Sequence, residues 1–495
     1  MKAKFMAIDM GAESGRAVVG FLDSDSLTLE ETHRFLNTPV RVFDSLYWDV
    51  LQMHKEMKLA LEICVEKHGP KLDGIGFDNW GVDYALVGKD NSILGAPYHY
   101  RDNRTDGMME EAFRMVPREE IYQMTGVQFM KLNTLFQLLA MSLAKSPILE
   151  VTDKLLMMPD LYNFLFTGRK VSEFSIATTT QFYDPIKKNW SKQLFERLGL
   201  PYNILPEIIP SATVVGPLLP SIRDEVGLSD VPVIAPACHD TACAVAAVPA
   251  KGQNWAYISS GTWSLMGVEI AEPIINKTSL EYNFTNEGGV GNTYRFLKNI
   301  MGLWLIQQCR STWEDAGQNY SYSDLVRMAE EARPLVSVIE PNYEPFLSHG
   351  NMPQRIVDFC KNTGQKVPET KGAILRCALE SLALKYRWVL EKLEEMLKKH
   401  IDVIHIIGGG CQNKLLCQFA ADATGRQVIA GPIEATAIGN IMLQALARGY
   451  VKSIVEAREL IQRSFEVTAY DPVIGSGWDE AYGRYLQVME KTVGL

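Results

Sequence analysis

The sequence predicts an α/β protein built from two domains of related design. Two observations carry this prediction. An apolar run at 5–8 is followed by a glycine-rich turn and by a second apolar run at 17–22. The same order of apolar run, small polar turn and apolar run returns at 254–268, about 250 residues later. A repeat at this distance indicates a duplicated domain rather than a solenoid, whose period is roughly 20–50 residues.

The composition fits a globular chain long enough for two substantial domains. The 495 residues are 47% hydrophobic and 22% charged, which is close to the average for globular proteins. The net charge of −10 disfavours nucleic acid and anionic lipid surfaces as partners, because the long-range field repels both. No apolar run reaches the length of about 18 residues that a membrane span needs. We therefore expect neither nucleic-acid nor membrane binding.

The N-terminal residues and the cysteines predict a cytoplasmic location. The segment 1–9 lacks the apolar stretch of a signal peptide. The eight cysteines are scattered and form no C-x-x-C pair, which is typical of reduced, buried thiols. Spacing alone leaves open whether Cys360 pairs with Cys377.

Periodicity and turn residues assign the main elements. Apolar residues at helical spacing predict a helix over 49–68, which ends at Gly69-Pro70, and a long helix over 372–400. Short apolar runs predict strands at 74–77, 231–235 and 403–407. The last of these strands runs directly into three glycines.

Three turns are candidates for binding phosphate. They are Gly11–Arg16, Ser260–Thr262 and Gly408–Gly410. Backbone N–H groups in such turns converge on an anion, and hydroxyls and Arg16 add further donors. An ordinary hairpin turn is the alternative for the first two. No P-loop, dinucleotide-binding glycine motif or protein-kinase signature occurs, so these turns are the available phosphate machinery.

Asp240 lies where the strand at 231–235 gives way to a helix of small residues. Ligands of α/β folds usually bind at such junctions, so the carboxylate is a candidate general base. The alternative is that it only caps the helix. We expect an ordinary pKa for this group, and hence an ionised carboxylate at neutral pH.

Two polar clusters, 78–84 and 99–106, complete the pattern. Their Trp and Tyr rings offer an apolar face to a sugar, while Asn, Asp and Arg supply directional hydrogen bonds. Each cluster could equally be a charged loop. Two phosphate-type turns, a junction aspartate and these clusters together favour a polyol and a nucleotide as ligands.

The order of motifs resembles that of the FGGY carbohydrate kinases, which belong to the actin-like ATPase superfamily. The matching segments are 9–16, 259–264, 407–413 and 434–440. The resemblance implies two duplicated actin-like (ribonuclease H-like) domains, 1–249 on the sugar side and 250–495 on the nucleotide side, with the ligands in a cleft between them. It also leads us to expect that the tail after about 455 packs back on the first domain.

The resemblance also implies a reaction, which is ATP-dependent phosphorylation of a ketose with Mg²⁺. It assigns Asp240 as the proton acceptor. The implied sugar contacts are Gly81, His239, Asp240, Thr241 and Asn299. The implied nucleotide contacts are Ala12, Glu13, Ser14, Gly15, Arg16, Thr262, Gln307 and Gly410. Asp9, at the end of the first strand, is the acidic residue best placed to orient a hydrated Mg²⁺.

Three alternatives stay open at this point. Another sugar kinase, such as a fuculokinase, would share the nucleotide residues and differ only in its sugar pocket. An actin-like ATPase would use the same fold without a small substrate. A non-catalytic sugar-binding regulator would bind the ketose and release no product. The sequence also leaves the oligomeric state open.

Overall fold

The computed structural model describes residues 3–473, 475 and 477–492. The strands are β1 (Ala3–Met10), β2 (Ser14–Leu22), β3 (Leu27–Leu36), β4 (Val40–Val42), β5 (Ser45–Tyr47), β6 (Gly74–Asn79), β7 (Tyr84–Gly88), β8 (Thr152–Met157), β9 (Val171–Glu173), β10 (Tyr183–Asp184), β11 (Asn189–Trp190), β12 (Glu207–Ile209), β13 (Thr213–Pro217), β14 (Pro232–Ala235), β15 (Trp255–Ser260), β16 (Trp263–Ile270), β17 (Thr285–Gly288), β18 (Tyr294–Met301), β19 (Val403–Ile407), β20 (Gln427–Ala430) and β21 (Thr468–Tyr470).

The helices are α1 (Val50–His68), α2 (Met108–Met115), α3 (Arg118–Thr125), α4 (Thr134–Leu143), α5 (Ile148–Val151), α6 (Met158–Thr167), α7 (Phe174–Ala177), α8 (Lys192–Leu198), α9 (Pro220–Val226), α10 (Asp240–Ala246), α11 (Lys277–Glu281), α12 (Trp304–Asp315), α13 (Tyr322–Glu331), α14 (Met352–Asn362), α15 (Lys371–Leu397), α16 (Lys414–Thr424), α17 (Ala435–Ala447), α18 (Ile454–Ser464) and α19 (Trp478–Thr492).

The chain divides into two compact units. Unit 1 consists of Met1–Pro249, Glu269–Phe296 and Ala435–Phe465, and unit 2 of Ala250–Val268, Leu297–Glu434 and Glu466–Leu495. Each unit is therefore assembled from three segments of the chain. The continuous domains 1–249 and 250–495 stay a prediction.

Unit 1 is built on a six-stranded sheet with the order β13-β14-β6-β1-β2-β3. β1 and β2 form the predicted hairpin and pair antiparallel, while β6 runs parallel to β1 and β14 runs parallel to β6. β1 and β6 are buried almost throughout, as strands covered on both faces must be. Helix α17 packs on this sheet, where Gln444 donates its amide to the backbone oxygen of Met6 at 3.0 Å.

Unit 2 repeats this arrangement. Its sheet includes the neighbouring strands β18, β16, β15, β19, β20 and β21 in that order. β15 and β16 form an antiparallel hairpin, β19 runs parallel to β15, and β20 runs parallel to β19. The hairpin of β1 and β2 with parallel β6 and β14 thus corresponds to the hairpin of β15 and β16 with parallel β19 and β20. The duplicated α/β design predicted from the sequence is confirmed.

The two long helices begin close to their predicted positions, and only one of them ends there. The Asp49 side chain caps α1 by accepting from the backbone N–H of Gln52, and Gly69 ends the helix as predicted. The predicted helix over 372–400 ends earlier, at Leu397, because Lys398 adopts a left-handed backbone conformation with φ of 52°.

All eight cysteines, including Cys360 and Cys377, are buried free thiols. Within the described part of the chain, no helix is long and apolar enough to cross a membrane.

Candidate active site

The predicted site residues of unit 1 meet at one edge of its sheet. β1, β6 and β14 are neighbours and run parallel, so their carboxyl ends lie side by side. Asp9 pairs in register with Asp78, and Asn79 forms a bridge with His239, just before Asp240. The sheet topology therefore brings Asp9, Gly81 and the segment 239–241 to the same edge. This is the position at which open α/β sheets bind ligands.

The first phosphate-type turn is tighter than predicted. β2 already begins at Ser14, so Ser14, Gly15 and Arg16 belong to a strand and the turn itself is Gly11–Glu13. The Gly11 N–H donates to the Ser14 backbone oxygen at 3.0 Å, which closes the turn. The predicted turn, Gly11–Arg16, therefore extends three residues too far. Ala12, Glu13 and Ser14 nevertheless remain accessible, Glu13 most of all.

Asn37 holds this turn from the neighbouring chain segment, a role that sequence reasoning missed. Its side-chain amide donates to the Gly11 oxygen at 2.6 Å, and its backbone N–H donates to the Glu13 oxygen at 3.0 Å. Asn37 lies directly after β3, which pairs with β2, so the hairpin register delivers it to the turn. A lone asparagine after a strand gives no sequence signal for such a contact.

Asp9 and Arg16 form an ion pair across the hairpin. The Nε and Nη2 atoms of Arg16 donate to Oδ2 of Asp9 at 2.9 and 2.7 Å. Behind this pair lies Asp78, which is fully buried and accepts from the Asn440 amide at 2.6 Å. Burial, followed by the neighbouring Asp9 carboxylate, raises the pKa of Asp78 well above its usual value. The sequence placed Asp78 among sugar contacts, whereas its side chain faces Asp9 and Asn440.

The Gly81 segment adopts a backbone conformation that its sequence does not favour. Val82 has a φ of 69°, which is rare for a β-branched residue and is stabilised only by its surroundings. Its oxygen accepts from the Thr134 hydroxyl at 2.7 Å, and its N–H donates to the Thr179 hydroxyl at 3.3 Å. A Cβ on Gly81 would lie 3.2 Å from the Thr179 side chain, so this position has little room for a larger residue.

Asp83 fixes the aromatic residues around this segment. Its carboxylate accepts from the indole N–H groups of Trp48 at 2.6 Å and Trp80 at 3.0 Å, and from the Gln137 amide at 3.0 Å. The Trp48 and Trp80 rings lie 4.3 Å apart. Trp80 is 7% exposed and Tyr84 5% exposed, so neither ring is an open face for a sugar. The predicted sugar-stacking role of the 78–84 cluster is not supported by their burial.

Asp240 is the first residue of α10 and follows β14 at the carboxyl edge of the sheet. His239 occupies the cap position but its side chain makes no capping hydrogen bond, whereas Asp240 accepts from the backbone N–H of Thr241 in the first turn. Oδ1 of Asp240 accepts from the Thr241 hydroxyl at 3.1 Å and from the Thr241 backbone N–H. His239 Nε2 lies 3.4 Å from the same oxygen. The Asp240 side chain keeps 31% of its surface exposed, which leaves it accessible to a ligand.

The ordinary pKa predicted for Asp240 is wrong. Burial of the carboxylate in its recess, followed by repulsion from Asp9, raises the pKa of Asp240 to about 7. The Thr241 hydrogen bonds and the Arg295 guanidinium favour the ionised form and limit the rise. A carboxylate with such a pKa changes protonation near neutral pH, which is the range in which a general base works best.

In unit 2, the second turn lies against the start of α12. The backbone oxygen of Thr262 accepts from the N–H groups of Gly302 at 3.1 Å and Trp304 at 3.2 Å. Gln307 follows one turn into this helix, and its buried Oε1 has no hydrogen-bond partner. An unpaired buried amide oxygen indicates a polar ligand or water. Thr262 therefore lies against the start of the helix that carries Gln307, and the nucleotide contacts of both residues stay a prediction.

The three glycines after β19 differ in their surroundings. A Cβ on Gly410 would lie 2.0 Å from Oγ of Ser260, at the end of β15. A Cβ on Gly409, in contrast, would have no atom within 4 Å, and this residue is exposed. The glycine at 410 is therefore required by the approach of Ser260, whereas 409 presents an open surface.

Asn299 lies near the end of β18, in the part of the strand that belongs to unit 2. Its backbone oxygen accepts from the Asn342 amide at 3.2 Å. Its side chain is partly accessible, as a sugar contact requires. Asp9, Gly81, His239, Asp240, Thr241 and 12–16 all lie in unit 1, and Thr262, Asn299, Gln307 and Gly410 lie in unit 2.

The side chains also indicate which cations the site could hold. Within the described residues, no group of three or more His, Cys, Asp or Glu side chains is arranged to hold a metal ion. Asp9 can serve a cation that keeps most of its water and needs few carboxylates, as Mg²⁺ does. The described residues offer no cluster of His and Cys side chains of the kind that binds a transition metal.

Comparisons with known proteins identify the family to which the chain belongs. Residues 5–247 match the N-terminal domain, and residues 256–448 the C-terminal domain, of the FGGY family of carbohydrate kinases. The chain therefore belongs to the FGGY family and is a carbohydrate kinase.

Curated relatives make the comparison more specific. The chain is 43% identical over 482 residues to a rhamnulokinase of Bacteroides thetaiotaomicron, covering 97% of this chain and 98% of the relative. It is 38% identical over 494 residues to a rhamnulokinase of Ligilactobacillus salivarius, covering 100% of both chains.

Solved structures show the same fold at much lower identity. The ligand-bound xylulose kinase from Lactobacillus acidophilus superposes with a TM-score of 0.82 at 15% identity, covering 99% of this chain and 98% of that one. The Plasmodium falciparum glycerol kinase with ADP gives a TM-score of 0.76 at 15% identity, covering 100% and 98%.

Proposed function

We propose that this kinase transfers the γ-phosphoryl group of ATP to O1 of L-rhamnulose, a step of rhamnose breakdown. The observation that carries the chemistry is the position of Asp240, at the carboxyl edge of β14 and close enough to Asp9 for their charges to interact. The choice of sugar rests on the relatives named rhamnulokinase, which are 38–43% identical over nearly the whole chain.

The proposed reaction is a direct in-line transfer. Asp240 accepts the proton of the primary hydroxyl as O1 forms a bond with the γ-phosphorus, and the bond to the bridging oxygen of ADP breaks. Such transfer depends on positioning and on stabilising negative charge rather than on covalent chemistry with the protein. Oδ2 of Asp240 suits this role, because the Thr241 N–H and hydroxyl both donate to Oδ1 and 31% of the side chain is exposed.

We assign the remaining contacts to the sugar and to the nucleotide. The sugar set is Gly81, His239, Thr241 and Asn299. The nucleotide set is Ala12, Glu13, Ser14, Gly15, Arg16, Thr262, Gln307 and Gly410. The unpaired Oε1 of Gln307 and the open surface at Gly409 support a polar ligand against unit 2.

Mg²⁺ is proposed as the accompanying cation, with Asp9 orienting its water shell. The carboxylate oxygens of Asp9 are the donor type that Mg²⁺ prefers. When bound, the ion would neutralise phosphate charge. The Arg16 guanidinium, which donates twice to Oδ2 of Asp9, holds this carboxylate in a fixed orientation. We place the enzyme in the cytoplasm, in keeping with its use of ATP and its eight buried thiols.

A coupled ADP-release assay with MgATP across a panel of ketoses tests the substrate. We expect the highest kcat/KM with L-rhamnulose, and a product whose phosphorus couples to the C1 protons in NMR. A preference for L-fuculose would make the chain a fuculokinase instead. ATP turnover that responds to no sugar would favour an actin-like ATPase, and sugar binding without phosphorylated product would favour a regulator.

A further inference from the structure

Arg295 is an unusual residue for the interior of unit 1. Its side chain is 0% exposed, and a buried charge is costly unless it is paired. Nε donates to the Gly288 oxygen at 2.9 Å, and Nη2 lies 3.2 Å from Oε2 of Glu287. The same Nη2 lies 2.9 Å from Nδ1 of His239. The third contact connects the buried ion pair to the residue next to Asp240.

The contact with His239 determines which ring nitrogen carries the proton. A guanidinium has donors and no acceptor, so Nδ1 of His239 must present its lone pair to Arg295. A neutral imidazole then carries its proton on Nε2. Nε2 lies 3.4 Å from Oδ1 of Asp240, so in this tautomer the positive end of the N–H dipole is on the side of the carboxylate.

We infer that Arg295 is a positioning residue that locks His239 as the Nε2–H tautomer and so fixes the carboxylate of Asp240. This inference rests on the proposed role of Asp240 as the base. The Thr241 N–H and hydroxyl donate to Oδ1, and the His239 ring N–H at Nε2 adds its dipole on the same side, with Nε2 3.4 Å from Oδ1. Oδ2 is left to receive the proton of the attacking hydroxyl.

The charges around His239 support this arrangement. The ring is faced by Arg295, by Glu287, whose Oε2 lies 3.4 Å from Nδ1, and by Asp240. Burial, followed by the Arg295 cation, holds the pKa of His239 well below its usual value, so the ring stays neutral. Without Arg295, Glu287 would attract a proton to Nδ1. The ring would then become a cation or present a lone pair to Asp240.

The tautomer can be observed directly by NMR of protein labelled with ¹⁵N-histidine. The chain has eight histidines, and comparison with His239→Gln assigns the signals of His239. We expect the shift pattern of a neutral Nε2–H ring between pH 6 and 8. A neutral ring protonated on Nδ1, or a ring that titrates in this range, would overturn the inference whatever the activity.

Two variants test the role of Arg295. The double variant Arg295→Met, Glu287→Gln removes the guanidinium without leaving its partner as an unpaired buried charge, and Arg295→Lys keeps a cation. In the double variant Nδ1 no longer faces an obligate donor and can be protonated toward the amide oxygen introduced at position 287, so we expect the His239 signals to change. We expect kcat to fall about tenfold or more, because a misplaced catalytic group is costly. We expect KM for ATP to stay within about twofold. An unchanged kcat with altered His239 signals would overturn the positioning role.

Arg376 provides a matched control in unit 2. It is a largely buried arginine that pairs with Glu380 at 2.7 Å and donates to the backbone oxygens of Ala329 and Glu330. Arg376→Lys should lower stability and leave both the His239 signals and kcat unchanged. If the Arg295 variants do not fold, the tautomer of the unmodified enzyme still decides the inference. If Asp240 is not the base, the kcat of Asp240→Asn will be near normal. The tautomer of His239 measured by NMR does not depend on that outcome.

Discussion

Glu173 accepts a hydrogen bond from the backbone N–H of Cys238 at 2.9 Å, although the two residues lie 65 positions apart. The same buried carboxylate accepts from the N–H groups of Ser175 and Ile176, which it caps at the start of α7. The Ser175 hydroxyl in turn accepts from the backbone N–H of His239 at 3.1 Å. The segment that enters α10 is therefore anchored on α7, and this anchoring fixes the position of Asp240.

Replacing Asp240 by Asn should remove most of the turnover. We expect kcat to fall by about 10²–10⁴, because this is the usual contribution of a general base, while sugar and ATP affinities stay within about tenfold. Steady-state kinetics and calorimetry with each ligand provide the measurement. Asn retains the oxygen that accepts from Thr241, so the fold should be preserved.

Asp230→Asn is the control for this variant, because Asp230 is 89% exposed and pairs only at the surface with Arg223. Its kcat should equal that of the unmodified enzyme. A near-normal kcat for Asp240→Asn at saturating substrates would remove Asp240 from the role of base.

The pH dependence of the reaction follows from the raised pKa of Asp240. A base works only when ionised, so kcat/KM for the ketose should fall as the pH is lowered through about 7. An ordinary Asp would place this limb near pH 4. A pH series from 5 to 9 with constant ionic strength measures it. A flat profile down to pH 5 would contradict the prediction.

Much of the site could be predicted because its signals are local. The turns at Gly11 and Gly261 and the strand before Gly408 are each encoded by an apolar run followed by small residues. Parallel strands then place their ends at one edge, so residues such as Asp9 and Asp240 meet without further information.

The part of the site that the sequence does not predict depends on contacts between residues far apart in the chain. Glu173, Arg295 and Asn37 resemble ordinary charged or polar residues in the sequence, and only the folded chain brings them to the site. The pKa of Asp240 could not be predicted for the same reason, since both its burial and the proximity of Asp9 arise from folding. The sequence predicts that Trp80 offers its ring face to a sugar, whereas the folded chain leaves this residue only 7% exposed, with its ring 4.3 Å from that of Trp48.

Gly410 and Gly409 should respond differently to substitution by alanine. In Gly410→Ala the new methyl group would collide with Ser260, so we expect a loss of about 1–3 kcal/mol in stability without any ligand. In Gly409→Ala the methyl group meets no atom within 4 Å, and stability should change by less than about 0.5 kcal/mol. Thermal unfolding of the two ligand-free variants decides this point.

Gly409→Ala is therefore the better probe of the nucleotide. If the nucleotide lies against this turn, the added methyl group displaces it from its contacts, so the variant should bind ATP about tenfold more weakly. Its affinity for the ketose should be unchanged. Unchanged ATP affinity in Gly409→Ala would place the nucleotide away from the turn.

Asp83→Asn should change stability in a pH-dependent way. Burial raises the pKa of Asp83 to about 6, although the indole and amide donors oppose the rise. Because the folded state binds this proton more tightly than the unfolded state, Asp83 stabilises the fold most at low pH. Its contribution falls as the pH rises from about 4, the unfolded value, to about 6.

Asn does not titrate, so the unfolding free energy of Asp83→Asn relative to the unmodified protein should rise by about 1 kcal/mol between pH 5 and pH 8. Urea denaturation followed by tryptophan fluorescence measures the difference, since Trp48 and Trp80 both donate to this carboxylate. Asp230→Asn, at an exposed position, should show the same difference at both pH values. The free-energy difference between Asp83→Asn and the unmodified protein could instead be equal at pH 5 and pH 8. The Asp83 carboxylate would then be ionised already at pH 5, and its hydrogen bonds would outweigh the cost of burial.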